Sequence, residues 1–429
     1  MLGAGPAGLS AAHHLGGGVE VFEQKSHVGG HCHTKTVDGF RFDEGAHVFF
    51  GTDECSRRFV LEPLAGELVH HRADVWNDYG AGAFGRYPVQ ANLHALPPDV
   101  ATRCLFDFIE ASRRPERTPR DYDEWCRASF GDTMAERFML RYARKIWTVP
   151  ASELNTEWLG SSVGGRVIRP ELEQVVRGAI DTRPQDLNYY TEFHYPRDGG
   201  FQRILEPIAS SLTAIRLSCG ATRIDAERRR LELADGTTRA FDVLVSSIPL
   251  PALVPLVVDA PDEVQEAAKR LMWTGVRFVS FGVDRSEIGP GHWVYFYDED
   301  IPFFRASFPS KFAPGNAPKG TSSVTCEVAY SRRQPLDERN VVERCREALI
   351  REGILMPSDC VLVQDEMDAP FGYVVFDDAR RPSLDAIHGW LEASRILPCG
   401  RFGDWGYHWS FDALESGRRA SVRARALLS

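Results

Sequence analysis

The strongest constraint on this chain lies in its first turn. Gly3-Ala4-Gly5-Pro6-Ala7-Gly8 is a G-x-G-x-x-G run that leads straight into the helical pattern Leu9-Ser10-Ala11-Ala12-His13-His14-Leu15. The glycines allow a tight turn, close approach of backbone to a pyrophosphate, and close packing of helix on strand. Free N–H groups and the helix dipole at the start of the helix favour the anion. A short β-like run, Val19-Glu20-Val21-Phe22, then ends on Glu23, fifteen residues after Gly8. A carboxylate there accepts hydrogen bonds from the hydroxyls of an adenosine ribose. G-x-G-x-x-G alone is also an ordinary glycine turn; the acid at this distance makes it a dinucleotide site. The chain opens only two residues before the motif. Most of the expected first strand is therefore missing or very short, as at a trimmed or re-annotated start.

A second glycine pair decides which dinucleotide. Glu23 and Gln24 are followed by Gly29-Gly30-His31, which lets backbone wrap the pyrophosphate from its other side. The alternating Phe40 and Phe42 then carry the chain to Gly45-Ala46-His47, directed at the ring system. This doubled arrangement resembles FAD-dependent proteins of the amine oxidase and desaturase type rather than a nicotinamide dehydrogenase. FAD is the expected cofactor.

Sixty acidic against fifty basic residues give a net charge of −10, which argues against a nucleic-acid surface. The arginine clusters 113–114, 228–230 and 418–419 are short and scattered, as solvated faces are. Nine cysteines show no C-x-x-C or Cys/His metal spacing and read as thiols of a reducing cytoplasm. Cys32, between His31 and His33, is no exception, and no metal is expected. No signal peptide is visible. The most apolar run, 243–258, is broken by Pro249, Pro251 and Pro255 and is too short to span a bilayer, so no membrane partner is expected. An oligomer is left open.

At 429 residues the chain has room for two or three lobes. The expected fold is α/β: a Rossmann-like FAD-binding domain, discontinuous, with a helical insertion and a sheet-rich insertion. The FAD domain takes residues 1–70, 195–260 and 386–429. Residues 71–194 open on a strand-like aromatic stretch and read as a mostly helical insertion, with apolar residues at helical spacing over 104–109 and 138–143. Residues 261–385 form a sheet-rich substrate domain, with long strands at 276–283, 292–297 and 322–329. In the FAD domain, 222–225 and 230–233 bracket a hairpin turned at Asp235-Gly236, and Ile224 is expected among the cofactor-binding residues. Gly400 and Arg401 return the chain to the flavin, with Asp412 and Ala413 at the start of a C-terminal helix.

The inserted segments carry a further resemblance. Tyr87-Pro88-Val89-Gln90, Trp147-Thr148-Val149-Pro150, Trp158-Leu159-Gly160, Trp293-Val294-Tyr295-Phe296, Pro302-Phe303-Phe304-Arg305-Ala306-Ser307 and Gly400-Arg401-Phe402-Gly403-Asp404-Trp405 stand in the order found in UDP-galactopyranose mutases. Together they resemble the eukaryotic branch of that family most. The resemblance implies a redox-neutral isomerisation of a nucleotide sugar between pyranose and furanose forms, in which N5 of reduced FAD attacks the anomeric carbon and displaces the nucleoside diphosphate. It assigns the diphosphate to Arg305, Tyr295, Tyr373 and Tyr407, and the flavin loop to His47. Arg401 would stabilise an anionic reduced ring. Tyr87, Gln90 and Trp147 fall in the substrate site. The place where the family accepts NADPH, or NADH, falls at Arg72 and Asp74.

Three departures cluster at the substrate. The family's second diphosphate arginine is replaced by Ser162, with Arg166 one helical turn on as its substitute; the family's Phe between Pro and Gln is Val89; and the stretch near the flavin is shortened to Phe411-Asp412-Ala413. Losing one charge-assisted phosphate contact costs roughly 1.5–3 kcal/mol, or about one to two decades in affinity. The expected substrate is therefore a nucleotide sugar other than ordinary UDP-galactopyranose, such as an intermediate of specialised metabolism. A flavin oxidoreductase acting on a sugar or amine, and a flavin-binding protein without turnover, remain as alternatives.

Overall fold

A computed structural model describes residues 1–51, 53–115, 117–160, 167–185, 187 and 191–429. The glycine run forms the turn its sequence requires. Gly3 has φ 93°, Gly5 precedes the first helix in extended conformation, and Pro6 opens that helix, Pro6–Leu15, where its missing N–H costs nothing. Gly16, at φ 86°, ends it. The helix buries Ala7, Gly8, Leu9, Ala11 and Ala12. Its partner is the C-terminal helix Ser410–Leu428, which presents Gly417 to the backbone of Ala7 so closely that a side chain there would collide with the Ala7 carbonyl.

Around this helix pair lies a small parallel sheet drawn from distant parts of the chain. Val21–Phe22 pairs with Ile215–Arg216, Leu244–Ser246 pairs with Ile396–Pro398, and Leu2 bridges Phe22 to Ser246. All these strands run the same way, so Gly3, Glu23, Ser247 and Gly400 emerge together at their carboxyl ends, where open α/β sheets bind ligands. The fold is thus a discontinuous Rossmann-like FAD-binding fold with helical and sheet-rich insertions.

Two details differ from the sequence expectation. The hairpin is a three-stranded meander, Ala221–Asp225, Arg230–Leu233 and Thr238–Ala240, and Asp235-Gly236 turns its second strand into its third. The segment 71–194 also contributes two strands, Val75–Asp78 and Phe84–Arg86, to the seven-stranded sheet otherwise built from 273–374. Val75–Asp78 lies parallel to Trp293–Tyr295, fixed by buried Val75 and by Asn77, whose Oδ1 accepts the Tyr297 hydroxyl at 2.6 Å. Leu68–Arg72 then pairs antiparallel with Glu192–Pro196 and closes off the helices between them. Among those helices, Tyr122–Phe130 is capped by Asp121, which accepts from Glu124 N at 2.9 Å, and is stopped by Gly131 at φ 78°. Cys104, Cys126, Phe130 and Met134 fill their core.

Candidate active site

Two cavities meet inside the protein. The larger, about 500 Å³, follows the carboxyl edge of the parallel sheet and is lined by Gly3, Gly5, Pro6, Ala7, Glu23, Gln24, Gly30 and His31 at one end. Ala46, His47, Arg305, Gly400, Arg401 and Ala413 line it as well. Glu23 is buried, with Oε2 accepting from Ala4 N at 2.7 Å and Oε1 from Lys25 N at 2.8 Å. The carboxylate thereby ties both glycine loops to the second strand, and each oxygen keeps a further lone pair for a ribose hydroxyl. A Cβ on Gly30 would lie 3.1 Å from the Gly5 Cα, so the two loops face each other with only hydrogens between them. That bare backbone cradle, opening on a helix N-terminus, fits the pyrophosphate of FAD.

Several expected residues serve the cleft without lining it. Gly8 packs the helix on the Gly3 carbonyl, and Gly29, at φ 112°, shapes the second loop. Gly45, at φ 98°, sits against the Glu327 carboxylate. Asp412 accepts from Trp409 N at 2.9 Å and caps the C-terminal helix. Ile224 is a correction: it is fully buried in the meander opposite Leu231, as its hydrophobicity demands, and Gly220 and Ala221 line the cleft in its stead.

The smaller cavity, about 230 Å³, is walled by Tyr87, Gln90, Trp147, Tyr295, Arg305, Tyr373, Arg401 and Tyr407, joined by Tyr142, Trp158 and Tyr297. Tyr295 approaches Tyr87 at 5.2 Å and Tyr142 at 5.3 Å between ring centroids. Tyr373 approaches Tyr407 at 5.9 Å. Burial holds the Tyr142, Tyr295 and Tyr373 phenols above their usual range, so they remain neutral hydroxyl donors. Gln90 Nε2 donates to the Ile168 carbonyl at 2.7 Å. Ser162 and Arg166 lie outside the described residues. Arg72 and Asp74 line neither cavity; Asp74 is paired with Arg86 and accepts from Trp76 Nε1 at 2.7 Å.

Eight residues belong to both cavities and mark where they join: Ala46, His47, Arg305, Tyr373, Arg401, His408, Trp409 and Ser410. Arg305 donates from Nε and Nη2 to Glu327, both at 2.7 Å. Burial opposes its charge, but Glu327 holds the guanidinium well above its usual range. Arg401 stands over the rings of Tyr373 (4.7 Å) and Tyr407 (5.3 Å) and donates to the His408 carbonyl at 3.1 Å. His47 stacks on Phe201 at 5.3 Å, and burial pushes its imidazole down to about 3, against the pull of Glu44. It is neutral, and its Nδ1 has no hydrogen-bond partner among the described residues. No carboxylate lines the smaller cavity among the described residues. Glu327 and His408 were not singled out from sequence. A lone charge inside the apolar strand Ser322–Tyr330 is the signal that could have found Glu327.

The family of flavin-containing amine oxidoreductases matches residues 6–354. The chain belongs to this family. It is a flavin-dependent enzyme, and its fold and family support FAD in the larger cleft. Among solved structures it is similar to a reduced UDP-galactopyranose mutase, with a TM-score of 0.93 and 26% identity over 99% of this chain and 93% of the other. It shares its fold with a putrescine oxidase bound to putrescine (TM-score 0.67, 15% identity, 99% and 98% coverage). The fold also recurs in a CLA-producing fatty acid isomerase from P. acnes (TM-score 0.66, 14% identity, 98% and 97% coverage). Among the described residues no helix is long and apolar enough to cross a membrane.

Proposed function

We propose that this enzyme isomerises a nucleotide sugar between pyranose and furanose forms, using reduced FAD, and that its substrate is not ordinary UDP-galactopyranose. The observation that carries this reading is the lining of the smaller cavity: two arginines, neutral tyrosine hydroxyls and no carboxylate among the described residues. Such a lining attracts a diphosphate and repels nothing anionic. A cationic amine would meet two guanidinium groups, of which Arg305 is paired with Glu327, and no carboxylate on the described wall to pair with it, which costs rather than gives affinity. Reduced FAD would supply the nucleophile for the anomeric carbon. The protein's part is positional: Arg305 and the hydroxyls of Tyr295, Tyr373 and Tyr407 hold the displaced diphosphate close, so that its return stays intramolecular. Tyr87, Gln90 and Trp147 form the wall beyond them. The order of the inserted motifs supports a relation to the eukaryotic mutases and NADPH or NADH as the reductant, and the nine free cysteines suit a reducing cytoplasm.

A second reading, oxidation of a sugar or amine by the resting flavin, is favoured by family membership and by the oxidase among the structural neighbours. Within it, a neutral or anionic sugar suits the lining better than an amine.

The deciding experiment is anaerobic. The purified protein, with its flavin reduced by dithionite or left oxidised, is incubated with a panel of nucleotide sugars and the products are followed by chromatography and mass. A mass-neutral isomer from the reduced enzyme alone supports the isomerase. A product two mass units lighter (~2 Da, the loss of two hydrogens) from the oxidised enzyme, with bleaching of the flavin, overturns it in favour of the oxidoreductase.

A further inference from the structure

The walls of the substrate cavity come from segments far apart in the chain, and one buried arginine outside the cavity ties two of them together. Arg380 opens the helix Arg380–Ala393 and is 8% exposed. Its Nε and Nη2 both donate to the Trp405 carbonyl, at 3.0 and 2.6 Å, and its Nη1 donates to Glu157 Oε2 at 3.1 Å. The guanidinium lies over the Phe376 ring, 4.3 Å from its centroid. Trp405 stands two residues before Tyr407, and Glu157 immediately precedes Trp158. Tyr407 and Trp158 both line the substrate cavity, with their ring centroids 6.1 Å apart. Arg380 and Glu157 line neither cavity.

An arginine is costly in this position. Burial acts most strongly against its charge; Glu157 supports the charge, Arg381 opposes it and Asp377 supports it. A cation at the start of a helix also faces the positive end of the dipole. An apolar residue here would pack on Phe376 without these costs, but it could not hold the Trp405 carbonyl and Glu157 at once. The carbonyl so held belongs to a strained turn. Trp405 is fully buried with φ +50°, a conformation that bulky side chains rarely adopt and that persists only where the surroundings enforce it. The other end is anchored as well. Asn155 N donates to the Phe376 carbonyl at 2.7 Å and Asn155 Nδ2 to the Asp377 carbonyl at 3.2 Å, which brings the turn Glu157–Gly160 to the helix start.

We infer that Arg380 and Glu157 are positioning residues of the substrate site: their ion pair seats Tyr407 against Trp158 and so places the Tyr407 hydroxyl for the diphosphate. This rests on the isomerase reading above, which gives that hydroxyl to the diphosphate. Without Glu157 the buried guanidinium loses the carboxylate it is bonded to, and its hold on the Trp405 carbonyl slackens. The Tyr407 segment is then released from Trp158. Neither member of the pair borders the flavin cleft, so FAD stays bound.

The test uses the FAD-loaded full chain with oxidised flavin. The probe is the tightest-binding of UDP, dTDP and GDP, read by the flavin spectrum. Glu157→Ala is expected to keep its FAD and to bind the probe about threefold to tenfold more weakly, no more than the worth of the Tyr407 hydroxyl itself. In a Tyr407→Phe background the same replacement is expected to cost less than about twofold, because the hydroxyl it positions is already gone. Glu157→Gln is expected to follow the same pattern with a smaller loss, and serves where the alanine variant does not fold. Wild-type affinity in the folded Glu157 variants overturns the inference. So does a loss of equal size in both backgrounds, which would make the ion pair a support of the fold alone. A wild type that binds none of the three diphosphates overturns the nucleotide-sugar reading itself, and the inference with it.

Discussion

Arg305 and Glu327 stand opposite each other on adjacent antiparallel strands and are locked in a two-point ion pair, with both N···O distances at 2.7 Å. The Glu327 oxygen that takes Arg305 Nε also accepts the Ala46 N–H at 3.1 Å. One buried carboxylate therefore anchors the cation of the substrate cavity and the loop that faces the flavin. Arg305 is pre-oriented by this arrangement, and the flavin loop cannot shift without disturbing it.

Removing one member of such a pair strands the other without compensation. Glu327→Ala is expected to destabilise the protein by about 3–5 kcal/mol, whereas the double replacement Arg305→Met/Glu327→Leu recovers most of that loss. Denaturant unfolding of the single and double variants measures the difference. Equal losses in both would contradict the coupling.

The diphosphate contacts should be graded by charge. Arg305→Lys keeps the charge but loses the fork, and is expected to weaken nucleotide-sugar binding by about one to two decades. Tyr373→Phe or Tyr407→Phe, each removing one neutral hydroxyl, should cost about threefold to tenfold. Titration of the flavin spectrum with the nucleotide sugar reads all three.

Backbone cradles admit no substitution. Alanine at Gly8 would drive its methyl into the Gly3 carbonyl, and at Gly30, with φ +58°, it would enter the 3.1 Å gap to Gly5. Both variants should lose bound FAD, seen as a fall in flavin absorbance per protein after gel filtration. Alanine at Gly236, a turn glycine with no atom within 4 Å of its Cβ position, pays only for its φ of +79° and should keep its flavin.

Stability should fall in acid for an identifiable reason. Burial depresses His47 and His292 from 6.5 to about 3. The unfolded chain binds protons at both sites as pH drops below about 6.5, while the folded chain does not until about 3, so stability is full above this window and is lost through it. Each contributes a slope on the order of 1 kcal/mol per pH unit at most. Asp43, raised by burial from 3.8 to about 6, acts oppositely: its share is present below 3.8 and is lost as pH rises through 6. Urea midpoints between pH 4 and 7 should therefore fall with acid less steeply in His292→Gln than in the wild type (~one fewer proton taken up on unfolding).

Much of the architecture was legible in short-range pattern. The turn glycines, the acid at Glu23 and the apolar periodicity specify the helix Pro6–Leu15, the parallel strands around it and the C-terminal helix, because each is fixed by local sterics and hydrogen bonding. Boundaries were less legible where pairing is remote. The strand at Val75–Asp78 joins Trp293–Tyr295 across more than two hundred residues, and nothing local to either segment names the other. Ile224 was misplaced for a similar reason: an apolar residue next to a cofactor and one in a core look alike in sequence.

The sequence by itself determined that a dinucleotide cleft forms at the N-terminus, since only glycine can occupy those conformations and approaches. Tertiary structure alone decided what faces that cleft. Glu327 beneath Arg305, Asp404 behind His408 and the absence of a carboxylate from the described wall of the smaller cavity arise from segments brought together across the chain. Charge compensation and desolvation depend on distances in space, and these are set only once the core has closed.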